Sequence, residues 1–346
     1  MLYVILILIF SHFNPLFGGN IESKGCVIGL NASKLYGGYD QLTYVENKTK
    51  FPKLYSDISA PISIAEGCNF SCSYCITTFA RGKLKSFPTK EIVQDVKNAV
   101  EIGCKEIQLT AQDTSSYRPK KNIDLGVLLK EISNKKGDFR VRVGMMNPYT
   151  CLKSIDSIIN GYSDDKVYKF VHLPIQSGDN DILKKMNRKY NFNDFLKIVK
   201  KFRQNYPDIS LSTDVIIGFP TETEEQFQHT IDLIETVRPD ITNITKFSAR
   251  PLTTAKKMKG RIKTEIVKKR SKKISNICTR ISKEINKDLI GKEYNILISE
   301  QGKNKTFVGR AENYKPVVIK EKMNLGEFVK VKIIDSDVTY LVGSII

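Results

Sequence analysis

The 346-residue chain lacks an apolar run long enough to cross a membrane. Residues 1–10 are its most continuously apolar stretch, and they are only about half as long as the roughly 20 residues of a transmembrane helix. No Lys or Arg precedes them to form the basic start of a signal peptide. We therefore expect residues 1–10 to form a buried strand of a cytoplasmic protein that has no membrane partner.

Acidic residues are also scarce, since 37 Asp and Glu stand against 55 Lys and Arg and give a formal net charge of +18. Such an excess of positive charge indicates a polyanionic partner, and nucleic acid is the first choice. The alternative is a Lys-rich surface that is simply solvated.

The seven cysteines are an odd number and lack the pairing of a secreted disulfide framework. Three of them, Cys68, Cys72 and Cys75, follow the apolar run 61–65 with the spacing C-x3-C-x2-C. No further pair follows at a spacing that would complete a four-ligand zinc site. Three thiolates can bind three irons of a [4Fe-4S] cluster and leave the fourth iron open. We predict such a cluster in a reducing compartment; zinc-binding or structural cysteines are the alternative.

From Ile62 onward, strands alternate with amphipathic helices about six times, which is typical of parallel strands with crossover helices. We therefore predict an α/β fold with a partial (β/α)6 TIM-type barrel. Its strands are expected at 61–65, 106–110, 139–146, 168–175, 210–217 and 241–247. Functional groups collect at the carboxyl ends of such strands, although each could instead cap a turn. The polar residues expected at this mouth are Gln112, Asp113, Asn147, Gln176, Ser177, Asp214 and Arg250.

From residue 263 to residue 346 the chain no longer alternates strands with helices. Residues 263–288 predict a helix with one apolar and one strongly basic face, and the basic face includes Lys268 and Lys272. Five short strands then follow, at 294–298, 306–311, 316–320, 328–334 and 339–345. Short strands separated by polar turns predict a small all-β barrel of the oligonucleotide-binding kind.

Several segments together resemble the radical S-adenosylmethionine (SAM) methylthiotransferases. They are the cysteine loop 66–75, FARG (79–82), SFP (86–88), LTAQDT (109–114), RVGMMNP (142–148), HLPIQSG (172–178) and TDVIIGFP (213–220). The GMMNP block resembles the archaeal and eukaryotic branch that acts on N6-threonylcarbamoyladenosine at tRNA position 37. The resemblance implies a remnant or divergent N-terminal methylthiotransferase region and linker at 1–58, a radical SAM core at 59–288 and a TRAM RNA-binding domain at 289–346.

The resemblance implies an enzyme that methylthiolates C2 of this tRNA nucleoside, with SAM as radical source and methyl donor. Cys68, Cys72 and Cys75 would be the catalytic and metal-binding residues, because the open iron of their cluster binds SAM. Predicted cofactor-binding residues are Tyr74, Gln112, Asp113, Gln176, Ser177 and Asp214; for Tyr74 the alternative is a core aromatic. Predicted tRNA contacts are Arg142, Arg250, Lys268 and Lys272. The expected partners are tRNA and an electron-donor protein, and a monomer is favoured.

Two departures from the family pattern matter. The family normally has three further cysteines upstream that hold a second [4Fe-4S] cluster, whereas only Cys26 lies upstream here, so the ligands of that cluster are not found. The alternatives are a radical SAM enzyme or an RNA-binding paralogue without sulfur insertion. The family's Arg-Pro-Gly-Thr turn also reads RPLT at 250–253, which leaves the local backbone conformation open.

Overall fold

The computed structural model describes Tyr55 and residues 58–346. Outside the described residues lie the strand predicted at residues 1–10, Cys26 and nearly all of the predicted N-terminal region. Within the described part of the chain, no helix is long and apolar enough to cross a membrane.

In residues 58–346, six parallel strands form an open arc of two three-stranded groups, and a short antiparallel hairpin, β2 and β3, follows the first strand. The strands are β1 (Ser59–Ser63), β2 (Ala65–Glu66), β3 (Lys85–Ser86), β4 (Glu106–Thr110), β5 (Arg140–Val143), β6 (Phe170–His172), β7 (Ser210–Ile217) and β8 (Ile241–Lys246). The groups are β1-β4-β5 and β6-β7-β8, and a parallel bridge between Val141 and Val167 links them. The predicted partial barrel is confirmed.

The helices follow the strands in the order expected of crossover connections. They are α1 (Thr77–Arg81), α2 (Thr89–Glu101), α3 (Leu125–Ser133), α4 (Pro148–Lys153), α5 (Ile155–Gly161), α6 (Asn180–Lys185), α7 (Phe192–Asn205), α8 (Glu224–Val237), α9 (Thr254–Lys257) and α10 (Thr264–Lys287). Capping boxes fix the starts of two of them, with Asn191 and Asp194 at α7 and Thr223 and Gln226 at α8. Thr89, the first residue of α2, places its hydroxyl 3.0 Å from that of Tyr117.

The main hydrophobic core lies between the arc and its helices. Ile62 of β1, Leu109 of β4 and Val143 of β5 are neighbours in the parallel register and are buried. Ile92 and Val96 of α2 belong to the same buried cluster. Because alternate strand residues point to opposite faces, Gln108 and Arg142 lie on the other face, toward the interior of the arc.

Residues 289–346, all of them described, contain a closed five-stranded barrel, which confirms the second predicted fold element. Its strands are β9 (Glu293–Gln301), β10 (Phe307–Arg310), β11 (Pro316–Ile319), β12 (Phe328–Ser336) and β13 (Leu341–Ile345).

This small barrel contacts the amino ends of the arc's strands. The hydroxyl of Tyr314 donates to Glu106, the first residue of β4, over 2.9 Å. The guanidinium of Arg140, the first residue of β5, lies 4.7 Å from the ring centre of Phe328. The cysteine loop follows the carboxyl end of β1, so the two features lie at opposite ends of the arc.

Helix α10 joins these two ends. Near its start, Val267 packs so closely on Gly218, after β7, that a Cβ on this glycine would lie 2.5 Å from the valine side chain. Near its end, the amide of Asn286 donates to the carbonyl of Asp337 in the small barrel over 2.7 Å. The predicted division into a packed and a basic face needs one correction, because Arg270 is buried and paired with Glu222 at 2.8 Å.

Candidate cluster and cofactor site

The cysteine loop is anchored by backbone contacts at its first residues. The amide of Gly67 donates to Oε1 of Gln112 over 2.7 Å, and the amide of Cys68 donates to the carbonyl of Gly82 over 3.1 Å. Gly67 has a φ of 78°, and a Cβ there would lie 2.2 Å from the carbonyl oxygen of Lys83. Glycine is therefore required at this position. Gln112, predicted to bind the cofactor, holds the loop in place.

Each of the three loop sulfurs lies within hydrogen-bond distance of an N–H donor. The pairs are Phe70 N with Cys68 Sγ (3.4 Å), Arg188 Nη1 with Cys72 Sγ (3.2 Å) and Thr77 N with Cys75 Sγ (3.4 Å). Burial raises the pKa of the Cys68 thiol. N–H donors favour the thiolate form that binds metal, so the donor set fits iron ligation.

The three sulfurs do not converge on one point. Within residues 58–346, no group of three or more His, Cys, Asp or Glu side chains is close enough to hold a single metal ion. A zinc site needs its ligands around one ion, whereas the ligands of a [4Fe-4S] cluster bind separate irons and stand further apart. The cluster interpretation rests on the C-x3-C-x2-C spacing of the three cysteines.

Arg188 is a site residue that the sequence did not single out. Its Nη1 also lies 3.5 Å from the Tyr74 hydroxyl, and its Nε donates to the Tyr190 hydroxyl over 2.8 Å. Burial disfavours its charge, but interactions with Tyr190, Tyr74 and Cys72 raise the pKa of the guanidinium above its ordinary value. A permanent positive charge therefore lies beside a predicted iron ligand. The only local indication of this role in the sequence is that Arg188 is a positively charged residue between the apolar Met186 and the aromatic Tyr190.

Asp113 lies directly after β4 as predicted, but its carboxylate is buried and fully engaged. Its oxygens accept bonds from the amide and hydroxyl of Ser115 (3.2 and 2.7 Å), the amide of Asn147 (2.9 Å) and the hydroxyl of Thr150 (2.6 Å). Burial raises the pKa of the Asp113 carboxyl. These contacts tie together the loops after β4 and β5, and direct contact with SAM stays a prediction.

Gln176 and Ser177 occupy the turn after β6. Gln176 has a φ of 73°, which is strained for a residue other than glycine, while its backbone pairs with Asp214 and Ile216 of β7. The Ser177 hydroxyl is buried and accepts from the amide of Asp179 over 3.2 Å. Both residues are buried, and contact of either side chain with SAM stays a prediction.

Asp214 points into the arc from β7. Its Oδ1 accepts from Asn243 over 2.8 Å and lies 3.0 Å from His172 Nε2. Burial opposes ionisation of Asp214, but hydrogen bonds from His172 and Asn243 hold the pKa of its carboxyl below the usual range. His172 therefore helps to fix the position of the Asp214 carboxylate.

Tyr74 lies between two predicted iron ligands, but its side chain packs into a small apolar cluster. The members of this cluster include Ile182, Met186, Phe219, Ala255, Phe247 and Tyr74 itself. Burial raises the pKa of the Tyr74 hydroxyl well above its usual value. These contacts favour the core-aromatic alternative for Tyr74, and its contact with the SAM adenine stays a prediction.

The four predicted tRNA contacts lie in three different places. Arg142 lies in the interior of the arc, with its guanidinium 5.3 and 5.2 Å from the ring centres of Phe170 and Tyr314. Arg250 is exposed after β8, and Lys268 and Lys272 are exposed on α10. The structure does not bring the four together, and their contact with tRNA stays a prediction.

The six-stranded arc, the open three-cysteine loop at its carboxyl end and the attached small barrel define a radical SAM enzyme with a TRAM domain. The radical SAM superfamily profile matches residues 62–234, and the TRAM domain profile matches residues 287–346. The fold is also similar to that of coproporphyrinogen III oxidase from Escherichia coli, with a TM-score of 0.51, 9% identity, and coverage of 82% of this chain and 68% of that one.

Sequence relatives narrow the class further. A probable threonylcarbamoyladenosine tRNA methylthiotransferase of Archaeoglobus fulgidus is 43% identical over 317 residues, which cover 91% of this chain and 74% of the relative. The Pyrococcus abyssi protein of the same name is 46% identical over 300 residues, covering 86% and 70%. The Drosophila melanogaster threonylcarbamoyladenosine tRNA methylthiotransferase is 36% identical over 288 residues, covering 82% and 52%. The chain belongs to the threonylcarbamoyladenosine tRNA methylthiotransferase family.

Proposed function

We propose that this protein is a tRNA-modifying enzyme that methylthiolates C2 of N6-threonylcarbamoyladenosine at tRNA position 37. The observation that carries the proposal is the 43% identity to an enzyme named for this nucleoside, over 91% of the chain and therefore across the whole cysteine loop. The three sulfurs, each beside an N–H donor at the carboxyl end of the arc, support it.

The chain's own residues would prepare the site for its cofactors. Cys68, Cys72 and Cys75 would hold a [4Fe-4S] cluster, and bound SAM would supply the radical that takes hydrogen from C2 and the methyl group that is transferred. Gln112 fixes the start of the loop through the Gly67 amide. We assign the SAM contacts to the strand-end side chains predicted above.

RNA binding would use the positive charge of the chain. The exposed lysines of α10 and the TRAM domain would hold the tRNA backbone. Affinity should therefore fall as the salt concentration rises, because the release of counterions from the RNA then contributes less free energy. We further propose an electron-donor protein as reductant, a monomer as the working unit and the cytoplasm as its location.

The decisive experiment is mass spectrometry of tRNA nucleosides from cells with and without the gene. The methylthio derivative of threonylcarbamoyladenosine should disappear without the gene and return with the wild-type chain. It should also return with a Cys278→Ser variant, because this buried cysteine lies in α10, away from the loop, but not with Cys72→Ala. Persistence of the derivative in the deletion strain, with no second gene copy, contradicts the proposal.

Radical chemistry without sulfur insertion is the second candidate, because Cys26 is the one cysteine before Cys68 within the given sequence. Iron analysis of the anaerobically reconstituted protein separates the two. About eight irons per chain indicate a second cluster, and about four indicate only the cluster of the described loop. SAM cleavage by the reduced protein then distinguishes either enzyme from an RNA-binding paralogue.

A further inference from the structure

A basic pocket of about 220 Å³ lies at the carboxyl ends of β7 and β8, beside the start of α10. Its lining is formed by Gly218, Lys246, Phe247, Ala249, Arg261, Ile262, Thr264, Val267 and Lys268. Three of these side chains are cationic and none is acidic. We call this cavity the basic pocket.

The three cations of the basic pocket are not neutralised by neighbouring carboxylates. Among the described residues, neither Lys246 nor Lys268 forms a salt bridge, and Arg261 donates to the carbonyl of Lys256 over 3.2 Å. The pocket also includes Thr264, the first residue of the 24-residue helix α10, and the start of a long helix carries partial positive charge. Like charges held this close favour an anionic ligand.

A second cavity shows that this charge imbalance is not a general property of the surface. It measures about 300 Å³ and is lined by Arg140 and Lys169 but also by Asp165 and Glu312. The ammonium of Lys169 is already bound to backbone carbonyls, including that of Tyr162 at 2.8 Å. That cavity is electrically balanced and gives no reason to expect an anion.

The basic pocket is close to the cysteine loop. Phe247 lines the pocket, packs edge-on against Phe219 with ring centres 5.3 Å apart, and belongs to the same apolar cluster as Tyr74. Tyr74 lies between Cys72 and Cys75 in the chain. The pocket and the cysteine loop therefore each contribute an aromatic side chain to the same apolar cluster.

We propose that the basic pocket binds a backbone phosphodiester of the RNA substrate, next to the nucleotide whose base enters the mouth of the arc. The inference rests on the proposed function, because the RNA is the polyanion that the reaction brings to this mouth. Three convergent cations recognise a phosphate irrespective of base sequence, so the pocket would position the RNA without selecting it.

The test measures binding of the full chain to tRNA that carries threonylcarbamoyladenosine without the methylthio group, purified from cells lacking the gene. Fluorescence anisotropy over a KCl series compares wild type with the single variants Lys246→Gln, Arg261→Gln and Lys268→Gln, and with their triple combination. Lys130→Gln is the matched control, because Lys130 is an exposed lysine of α3.

We expect the triple variant to bind the tRNA about tenfold more weakly than wild type does. The slope of log affinity against log salt should become less steep by about 1, and the control should match wild type in both measurements. Each single variant should show part of this loss. Equal affinity and slope in the triple variant and the control overturn the pocket assignment and leave the proposed function intact. The pocket assignment and the proposed function are both overturned if the wild-type chain does not bind this tRNA and the deletion strain keeps the methylthio derivative.

Discussion

Substitution of Arg188 tests how the chain sets the reduction potential of its proposed cluster. Its Nη1 lies 3.2 Å from the Cys72 sulfur, and its Nε is held by the Tyr190 hydroxyl at 2.8 Å. The Tyr190 hydroxyl in turn lies 2.9 Å from the carbonyls of Pro174 and Ile175, so the guanidinium has a fixed orientation. Replacing it in Arg188→Met removes the charge and the sulfur's donor while keeping an unbranched apolar chain.

Electrostatics gives the sign and size of the change in reduction potential that Arg188→Met should cause. Reduction adds a negative charge to the cluster, so a neighbouring cation stabilises the reduced form and raises the reduction potential. A hydrogen bond to a charged group contributes about 1.5–3 kcal/mol, and only part of this differs between the two oxidation states. A difference of about 1 kcal/mol corresponds to roughly 40 mV for one electron. Arg188→Met should therefore lower the potential by about this amount.

The assay is a potentiometric titration of the reconstituted protein, followed by the electron paramagnetic resonance signal of the reduced cluster. Lys189→Met is the matched control, because it removes the same charge from the adjacent exposed residue, where solvent screens it. Arg188→Lys keeps the charge and should fall between Arg188→Met and wild type. If Arg188→Met binds iron normally and its potential equals that of Lys189→Met, the tuning role is refuted.

Three further predictions concern stability and are measured by urea unfolding of the iron-free protein. Leu252 is 51% exposed with a φ of 63°, so Leu252→Gly should stabilise the fold by about 0.5–1 kcal/mol, whereas Leu325→Gly, also at an exposed leucine, should not. Tyr314→Ala should cost about 3–5 kcal/mol by removing a ring packed 4.8 Å from that of Tyr168, and Tyr314→Phe only about 1 kcal/mol. Lys315→Met should cost about 3–5 kcal/mol because it leaves the buried Asp240 carboxylate, 2.6 Å away, without its partner; a loss below 1 kcal/mol would contradict this.

The elements that local sequence specifies were predicted well. Strand β7 has the predicted bounds, because its apolar residues 215–217 end at Gly218, whose φ of 75° leaves the strand conformation. Strand β6 was predicted as 168–175 but spans Phe170–His172, since Pro174 has no amide to continue the ladder. Between β5 and β6 the chain forms two helices, α4 and α5, because the backbone leaves the helical region at Ser154.

The site was predictable only where its residues are close in sequence. Cysteine spacing indicates a cluster because three ligands come from one loop. The contact between Arg188 and Cys72 joins positions 116 residues apart, and only the tertiary fold brings them together. The surroundings of Arg142 also depend on the tertiary fold, which places its guanidinium near the rings of Phe170 and Tyr314; its contact with tRNA stays a prediction.

The position of the TRAM domain limits how one RNA could contact both this domain and the basic pocket. The small barrel lies at the amino ends of the strands, and the cysteine loop and basic pocket lie at the carboxyl ends. The 24 residues of α10 connect the two, and at 1.5 Å per residue they span about 36 Å. An RNA that contacts both ends would therefore extend along a distance of this order, and the exposed Lys268 and Lys272 lie on the connecting helix. Charge reversal at Lys272, outside the basic pocket, should then weaken binding and lower the salt slope independently of the pocket variants.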